Sequence, residues 1–190
     1  TEEQQKAGME DKPVKTEREA RERAIGMLAL RLLLRSSDIL HLQLGDIDWR
    51  TRVIRIIQQK TKIPLTLPIP DDVGNALLEY ILDFRPKVKF EEVFLSVRNP
   101  RRPLQAMGHC ASYLVRFCEI GYGKCVNGLH IYRRTGASNL LATNVSVDTI
   151  SDILGHQGNG TVDQYLSTDD NKMTLCAMDL SLVGIPEVLR

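Results

Sequence analysis

Long apolar runs are missing from this 190-residue chain, and no stretch approaches the ~20 residues of a membrane-spanning helix, so no membrane partner is expected. The first fifteen residues are polar and hold no apolar signal core. The chain does not begin with methionine and reads as a fragment or processed product of a longer one. Closely paired cysteines are also missing. Cys110, Cys118, Cys125 and Cys176 show no short repeated spacing, and without an export signal they read as reduced, mostly buried thiols. A zinc site built from His109, Cys110, Cys118 and Cys125 would lack the C-x2-C pair such sites use. There is no glycine-rich phosphate loop with a lysine, so ATP-driven chemistry is not indicated. No His/Asp/Glu cluster has metal-ligand spacing, which argues against a two-metal nuclease. No cofactor is expected.

A strong excess of one charge is absent too, the net value being +1, but the distribution is uneven. Between Arg98 and Arg134 lie Arg98, Arg101, Arg102, Arg116, Lys124, Arg133 and Arg134 against the single acid Glu119. From Ser146 onward, Asp148, Asp152, Asp163, Asp169, Asp170, Asp179 and Glu187 face only Lys172 and Arg190. The first region suits phosphates, and the second suits solvent or a docking surface. Hydrophobic content of 43% and charged content of 26% fit a globular protein with one well-filled core.

Residues 1–15 lack apolar periodicity and read as a linker or loose arm. Thr16-Glu17-Arg18-Glu19 has capping-box spacing, and Ala20, Ala24, Met27, Leu28 and Leu32 follow at helical intervals. A second helix is predicted over Ser37 to Leu44, stopped by Gly45, with a turn at Asp46 to Trp49. Residues 53–57 and 63–68 read as strands of a hairpin joined by Gln59-Lys60-Thr61-Lys62. Pro70-Asp71-Asp72 opens a helix to about Phe84 with Leu77, Leu78, Ile81 and Leu82 on its buried side. Glu92 to Leu95 reads as a third short strand, followed by the basic loop 98–103. Further helices are predicted near 105–121, 129–143, 146–154 (Ser146 as N-cap, Gly155 as stop), 161–166 and 170–182. The expected fold is mainly α with a small antiparallel sheet, an α+β arrangement.

The chemistry concentrates late in the chain. His130 and Arg133 are three apart on a predicted helix and share a face. Leu154-Gly155-His156 follows, and Tyr165 stands nine residues after His156. A helix-loop-helix of this length can return His156 and Tyr165 to the face carrying His130 and Arg133. Tyr113, Tyr122 and Tyr132 are rival tyrosines without a preceding Gly-His, and Tyr132 suits packing.

In order and spacing these residues resemble the C-terminal signature of the tyrosine recombinase (phage integrase) family. Upstream, Arg35-Ser36-Ser37-Asp38-Ile39-Leu40-x-Leu42 with Asp46-Ile47-Asp48 resembles its first-arginine box. Gln59-Lys60-Thr61 resembles its catalytic-lysine turn, with the proline-containing strand Pro64 to Pro70 after it. The likeness runs from about residue 20 to 170 and implies the DNA breaking-rejoining fold over 16–182, with 183–190 a tail. It implies the catalytic set Arg35, Lys60, His130, Arg133, His156 and Tyr165. Two guanidiniums, Arg35 and Arg133, would grip the equatorial oxygens of a scissile phosphate. A tyrosine with an ordinary pKa of ~10 needs help to attack near neutral pH, and the resemblance gives that assistance to His130. His156 would donate to the phosphate and Lys60 would protonate the leaving 5′-oxygen. The product would be a 3′-phosphotyrosine link and a 5′-hydroxyl, rejoined without ATP or metal.

Around this set, Lys62 competes with Lys60 for the lysine role. Asp38 is expected to hold Arg35 or a neighbour in place. Lys62, Arg98, Arg101, Arg102 and Arg134 are candidate DNA contacts, with a solvated turn the alternative for the loop arginines. The sequence departs from the family pattern in three places. Leu32-Leu33-Leu34 replaces the usual Thr-Gly-Leu, Arg134 stands where histidine is common, and Gln157-Gly158-Asn159-Gly160 makes a glycine-rich and therefore mobile loop. The family's N-terminal core-binding domain has no counterpart in this sequence, so weak, strongly salt-dependent DNA binding is expected. The implied partners are double-stranded DNA and further copies of the protein, as a tetramer on paired sites. Met173 to Leu182 would pack on a neighbour or on its own subunit. An integrase or transposase of a mobile element, acting in the cytoplasm at the nucleoid, is the reading that results. A type IB topoisomerase-like enzyme and a non-catalytic DNA-binding regulator are the alternatives.

Overall fold

The computed structural model describes residues 13–107 and 129–154. Helix α1, Glu17–Arg31, starts at Thr16, whose hydroxyl accepts from the Glu19 N–H at 3.2 Å while Glu19 Oε2 accepts from the Thr16 N–H at 3.0 Å. This is the capping box the sequence predicts. The helix is unusual in being buried almost all round: Ala20, Ala24, Ile25, Leu28 and Ala29 have no exposed surface, and even Arg21 and Glu22 are buried. Small residues interleaved with branched ones let other elements approach α1 from several sides. Arg21 and Glu22 are tolerated there because they pair at 2.5 Å, and Arg21 Nη1 also donates to the Leu95 carbonyl at 2.6 Å.

Helix α2 is only Ser36–Leu40, shorter than expected. Gly45 does not stop it, because the chain leaves the helix at His41 and Gly45 falls inside a separate 3-10 turn, Leu44–Asp46. The physical cause lies in tertiary pairing. The Leu42 carbonyl accepts from the Val93 N–H and the Leu44 N–H donates to the Glu91 carbonyl, both at 2.8 Å, which takes residues 42–44 out of helical bonding. The predicted turn at Asp46 to Trp49 is also corrected. Ile47–Asp48 is strand β1, the first of a three-stranded antiparallel sheet in the order β1-β2-β3, with β2 Val53–Ile57 and β3 Pro64–Pro68. Ile47 pairs with Ile54, and β2 pairs with β3 from Val53↔Pro68 to Ile57↔Pro64. The prolines lie on β3, an edge strand, where a missing N–H is harmless.

The predicted third strand, Glu92 to Leu95, does not join this sheet. Val93, Phe94 and Leu95 are buried, but the segment makes only isolated bridges, Gln43↔Glu92 and Leu95↔Pro103. Arg85 organises its approach, donating to the Val93, Phe90 and Glu92 carbonyls at 3.0, 2.7 and 2.9 Å.

Helix α3, Asp71–Glu79, runs into a π turn, Tyr80–Phe84. Its buried face is Val73, Ala76, Leu77 and Tyr80, whereas Leu78 is exposed and Leu82 is 69% exposed, contrary to expectation. A wider turn shifts the phase of the residues after Glu79. Tyr80 is what the turn buries, and its hydroxyl accepts from the Leu95 N–H at 3.3 Å. Burial raises the pKa of this phenol.

Residues 105–107 are not helical, and the rest of the predicted 105–121 helix lies outside the described residues. So do the four cysteines, His109, and the helices predicted near 161–166 and 170–182. Helix α4 is His130–Ala142 and α5 is Val147–Leu154. The Ser146 hydroxyl accepts from the Thr149 N–H at 3.2 Å, the expected N-cap bond. Among the described residues no helix is long and apolar enough to cross a membrane.

α4 rests on α1 through Gly136, where a Cβ would collide with the Leu30 carbonyl oxygen and the Leu33 side chain. Both are buried, and the carbonyl belongs to a helix that cannot yield locally. Gly136→Ala is expected to cost about 1–3 kcal/mol by overpacking. A lower urea midpoint at unchanged m-value would show it.

Candidate active site

The first arginine does not sit on the face of α2. Arg35 is its N-cap, with extended backbone (φ −71°, ψ 151°), and the side chain is partly exposed. Arg35 Nη1 donates to Gln58 Oε1 at 3.1 Å. Asp38, one turn later and buried, reaches the same hairpin. Its Oδ1 accepts from the Gln59 backbone N–H at 2.8 Å. Both contacts therefore run from the Arg35–Asp38 segment to the β2–β3 hairpin.

The hairpin turn is the predicted one, residues 59–62, closed by Gln58 N–H to the Ile63 carbonyl at 2.9 Å and Lys62 N–H to the Gln58 carbonyl at 2.8 Å. The two competing lysines differ in backbone and surroundings. Lys62 carries a left-handed φ of 58° and its Nζ reaches Gln59 Oε1 at 3.4 Å, so it shapes the turn. Lys60 is exposed at the tip, between two residues that are both fastened. Gln59 is held through its N–H by Asp38, and Thr61 Oγ1 donates to Gln58 Oε1 at 2.5 Å.

Arg133 is 7% exposed. Its Nη1 donates to the Leu33 carbonyl and its Nη2 to the Leu154 carbonyl at 2.6 Å. The guanidinium thus ties α4 to the segment just before Arg35 and to the end of α5. His130, the first residue of α4, is exposed although it is one turn from Arg133. Tyr132 is buried, in keeping with a packing role. Arg134 is exposed. His156 and Tyr165 lie outside the described residues.

The loop arginines divide. Arg101 is committed inside the protein, with Nη1 on Glu17 Oε1 at 2.5 Å and on the Ser96 carbonyl at 2.9 Å. Arg98 and Arg102 are exposed. Arg98 also lines a cavity of about 470 Å³ with Arg18, Arg21, Ser96 and Leu104, to which Arg35, Lys60, His130 and Arg133 do not contribute.

Gln58 goes unnoticed in the sequence, and Leu33 stands out there only as a departure from the family pattern. Gln58 continues the inward parity of Ile54 and Ile56 on β2 and is 2% exposed, so a polar residue in a buried register was the available signal. Leu33 adopts φ 54°, a left-handed conformation, at the position where the family pattern has glycine. That departure was itself the signal.

The chain belongs to the phage integrase family, whose model matches residues 2–172. It is 33% identical over 167 residues to a putative integrase/recombinase, y4gC, of Sinorhizobium fredii (strain NBRC 101917 / NGR234), covering 87% of this chain and 86% of the relative. It is 24% identical over 177 residues to a tyrosine recombinase XerC of Staphylococcus haemolyticus (strain JCSC1435), covering 90% of this chain and 57% of that one. Among solved structures, XerA recombinase matches at TM-score 0.73 and 19% identity, over 98% of this chain and 63% of that chain. XerH recombinase bound to palindromic difH substrate, a post-cleavage complex, matches at TM-score 0.73 and 18% identity, over 94% and 51%. The fold is therefore that of the tyrosine recombinase catalytic domains, and this chain spans between half and two thirds of these solved relatives.

Asp38 ties α2 to the Gln59 backbone, and its Oδ2 meets no donor among the described residues. Asp38→Ala strands a part-buried N–H and is expected to cost about 1–3 kcal/mol in a urea melt. Asp38→Asn keeps an acceptor, has no bond at Oδ2 to lose, and is expected to cost less.

Proposed function

We propose that this protein is a site-specific DNA recombinase that cleaves and rejoins DNA through a 3′-phosphotyrosine intermediate. The observation that carries the reading is the convergence on residues 33–38. Arg133 is docked on the carbonyl of Leu33, Arg35 on the amide of Gln58, and the turn carrying Lys60 on Asp38. Three cations from distant parts of the sequence are thus fixed to one short segment. A phosphodiester gaining charge under attack is the anion for which two guanidinium forks and a lysine are suited.

In this reading Arg35 and Arg133 bind the non-bridging oxygens, with the carbonyl bonds of Arg133 fixing the plane of its fork. Lys60, exposed at a held tip, gives its proton to the 5′-oxygen. His130 takes the proton of Tyr165, and His156 donates to the phosphate. Tyr165 supplies the nucleophile. Residue roles, the tetrameric assembly on paired sites, and action at the nucleoid of the cytoplasm all belong to this proposal. So does the integrase or transposase role in a mobile element, in keeping with relatives named integrase/recombinase.

Covalent trapping tests it. The protein, expressed from its complete reading frame, is incubated in EDTA with a pool of nicked duplexes of randomised sequence. A denaturation-resistant protein–DNA adduct is expected, absent in Tyr165→Phe, and sequencing the trapped DNA gives the target. No adduct from a protein that binds DNA would leave the regulator reading standing.

Arg101 and Arg102 separate a structural from a phosphate role within one loop. Arg102→Ala is expected to flatten the dependence of log K on log[salt] by about one contact, a slope change of ~0.9. Arg101→Ala is expected to leave that slope unchanged and to lower the melting midpoint, because it breaks the half-buried pair with Glu17.

A further inference from the structure

We infer that Gln58 is the positioning residue that locks Arg35 to the Lys60 hairpin, through one amide oxygen shared between them. The inference rests on the recombinase reading for the roles of Arg35 and Lys60, but its geometry stands independently. Gln58 is 2% exposed at the end of β2. Its Oε1 accepts from Arg35 Nη1 at 3.1 Å and from Thr61 Oγ1 at 2.5 Å, which uses both lone pairs of an amide oxygen. Its backbone carbonyl accepts from the Lys62 N–H and its backbone N–H donates to Ile63, so the same residue also closes the turn.

Lys60 is therefore fastened on both sides. Gln59, before it, is bonded to Asp38, and Thr61, after it, is bonded to Gln58. The two tethers lead back to the same α2 segment, one through Asp38 and one through Arg35. Without the Gln58 side chain the turn would keep its Asp38 bond to the α2 segment but lose the one that runs through Arg35.

The choice of an amide over a carboxylate has a chemical consequence. A glutamate would offer the same two acceptor positions, but its charge would neutralise part of the guanidinium field meant for the phosphate. A neutral acceptor orients Arg35 and leaves its charge available. Purely structural packing would make no such distinction between the two.

The test compares Gln58→Met, which keeps the buried shape without the acceptor, with Gln58→Glu, which restores the acceptor and adds charge. The first readout needs no DNA. The guanidinium N–H signals of Arg35, identified by their loss in Arg35→Lys, are followed by NMR in the free protein. In Gln58→Met they are expected to average and exchange faster, and in Gln58→Glu to persist. The second readout is the rate of covalent adduct formation at saturating trapped-site DNA, with DNA affinity measured separately. Both variants are expected to slow the adduct about tenfold or more, as small misplacements of catalytic groups do, at nearly unchanged affinity. Unchanged Arg35 signals in a folded Gln58→Met would overturn the coupling. A Gln58→Glu variant as fast as wild type would overturn the argument for a neutral acceptor. Absence of any adduct from the wild type would refute the recombinase reading instead, and the NMR comparison would still decide the Gln58 contact.

Discussion

The burial of one guanidinium organises this structure. Arg133 is nearly inaccessible, and an unpaired buried cation is prohibitively costly. The Leu33 and Leu154 carbonyls offset that cost with charge-assisted bonds. Each bond also fixes something else. Leu33 lies two residues before Arg35, so the first arginine is placed relative to the second through a few backbone torsions. Leu154 ends α5, so the chain leaving toward residue 156 starts from a point set by the same group. Gly136, one turn further along α4, permits the close approach to Leu30 and Leu33 on which the Leu33 bond depends.

Around this clamp, α1 serves as a common wall. It packs against α3, the π turn, α2 and α4, and its nearly complete burial explains why helical periodicity there is weak. Its two buried charges, Arg21 and Glu22, pair with each other, and Arg21 also donates to the Leu95 carbonyl. The loop that follows Leu95 is fastened to the start of the same helix by Arg101 and Glu17. A basic loop that looks like a phosphate contact from its composition is thus partly an internal brace.

What was legible in the sequence follows the range of the forces. The capping box at Thr16, the hairpin turn at 59–62, the N-cap at Ser146 and helix α4 depend on neighbours a few residues apart, and they read correctly. The short α2, the strand Ile47–Asp48 and the isolated bridges of Glu92 to Leu95 depend on bonds to distant segments that local propensity does not see. The π turn at Tyr80–Phe84 is of the same kind, since it delivers the Tyr80 hydroxyl to Leu95 and leaves Leu82 in solvent. At the site, the resemblance to the family pointed to Arg35, Lys60, His130 and Arg133. It could not say that Asp38 and Gln58 hold the hairpin, because a hydrogen bond between residues more than twenty apart leaves no periodic trace.

Leu33 shows how far a family pattern can be bent without losing the clamp. Its left-handed φ of 54° carries a penalty of about 1–2 kcal/mol for a residue with a Cβ, which glycine would escape. Its side chain, however, is buried to 1% exposure against the surface of Gly136, and burial of a leucine contributes about 1.5–3 kcal/mol. The two terms are comparable, so the substitution is permitted where the neighbouring helix is smooth enough to receive the extra side chain. Gly136 supplies that smoothness. The strained backbone also points the Leu33 carbonyl at Arg133, and a glycine there would have to be held in that conformation by the bond alone, whereas the leucine is held by packing as well. The clamp on the second arginine is in this way stiffened by the residue that departs from the pattern.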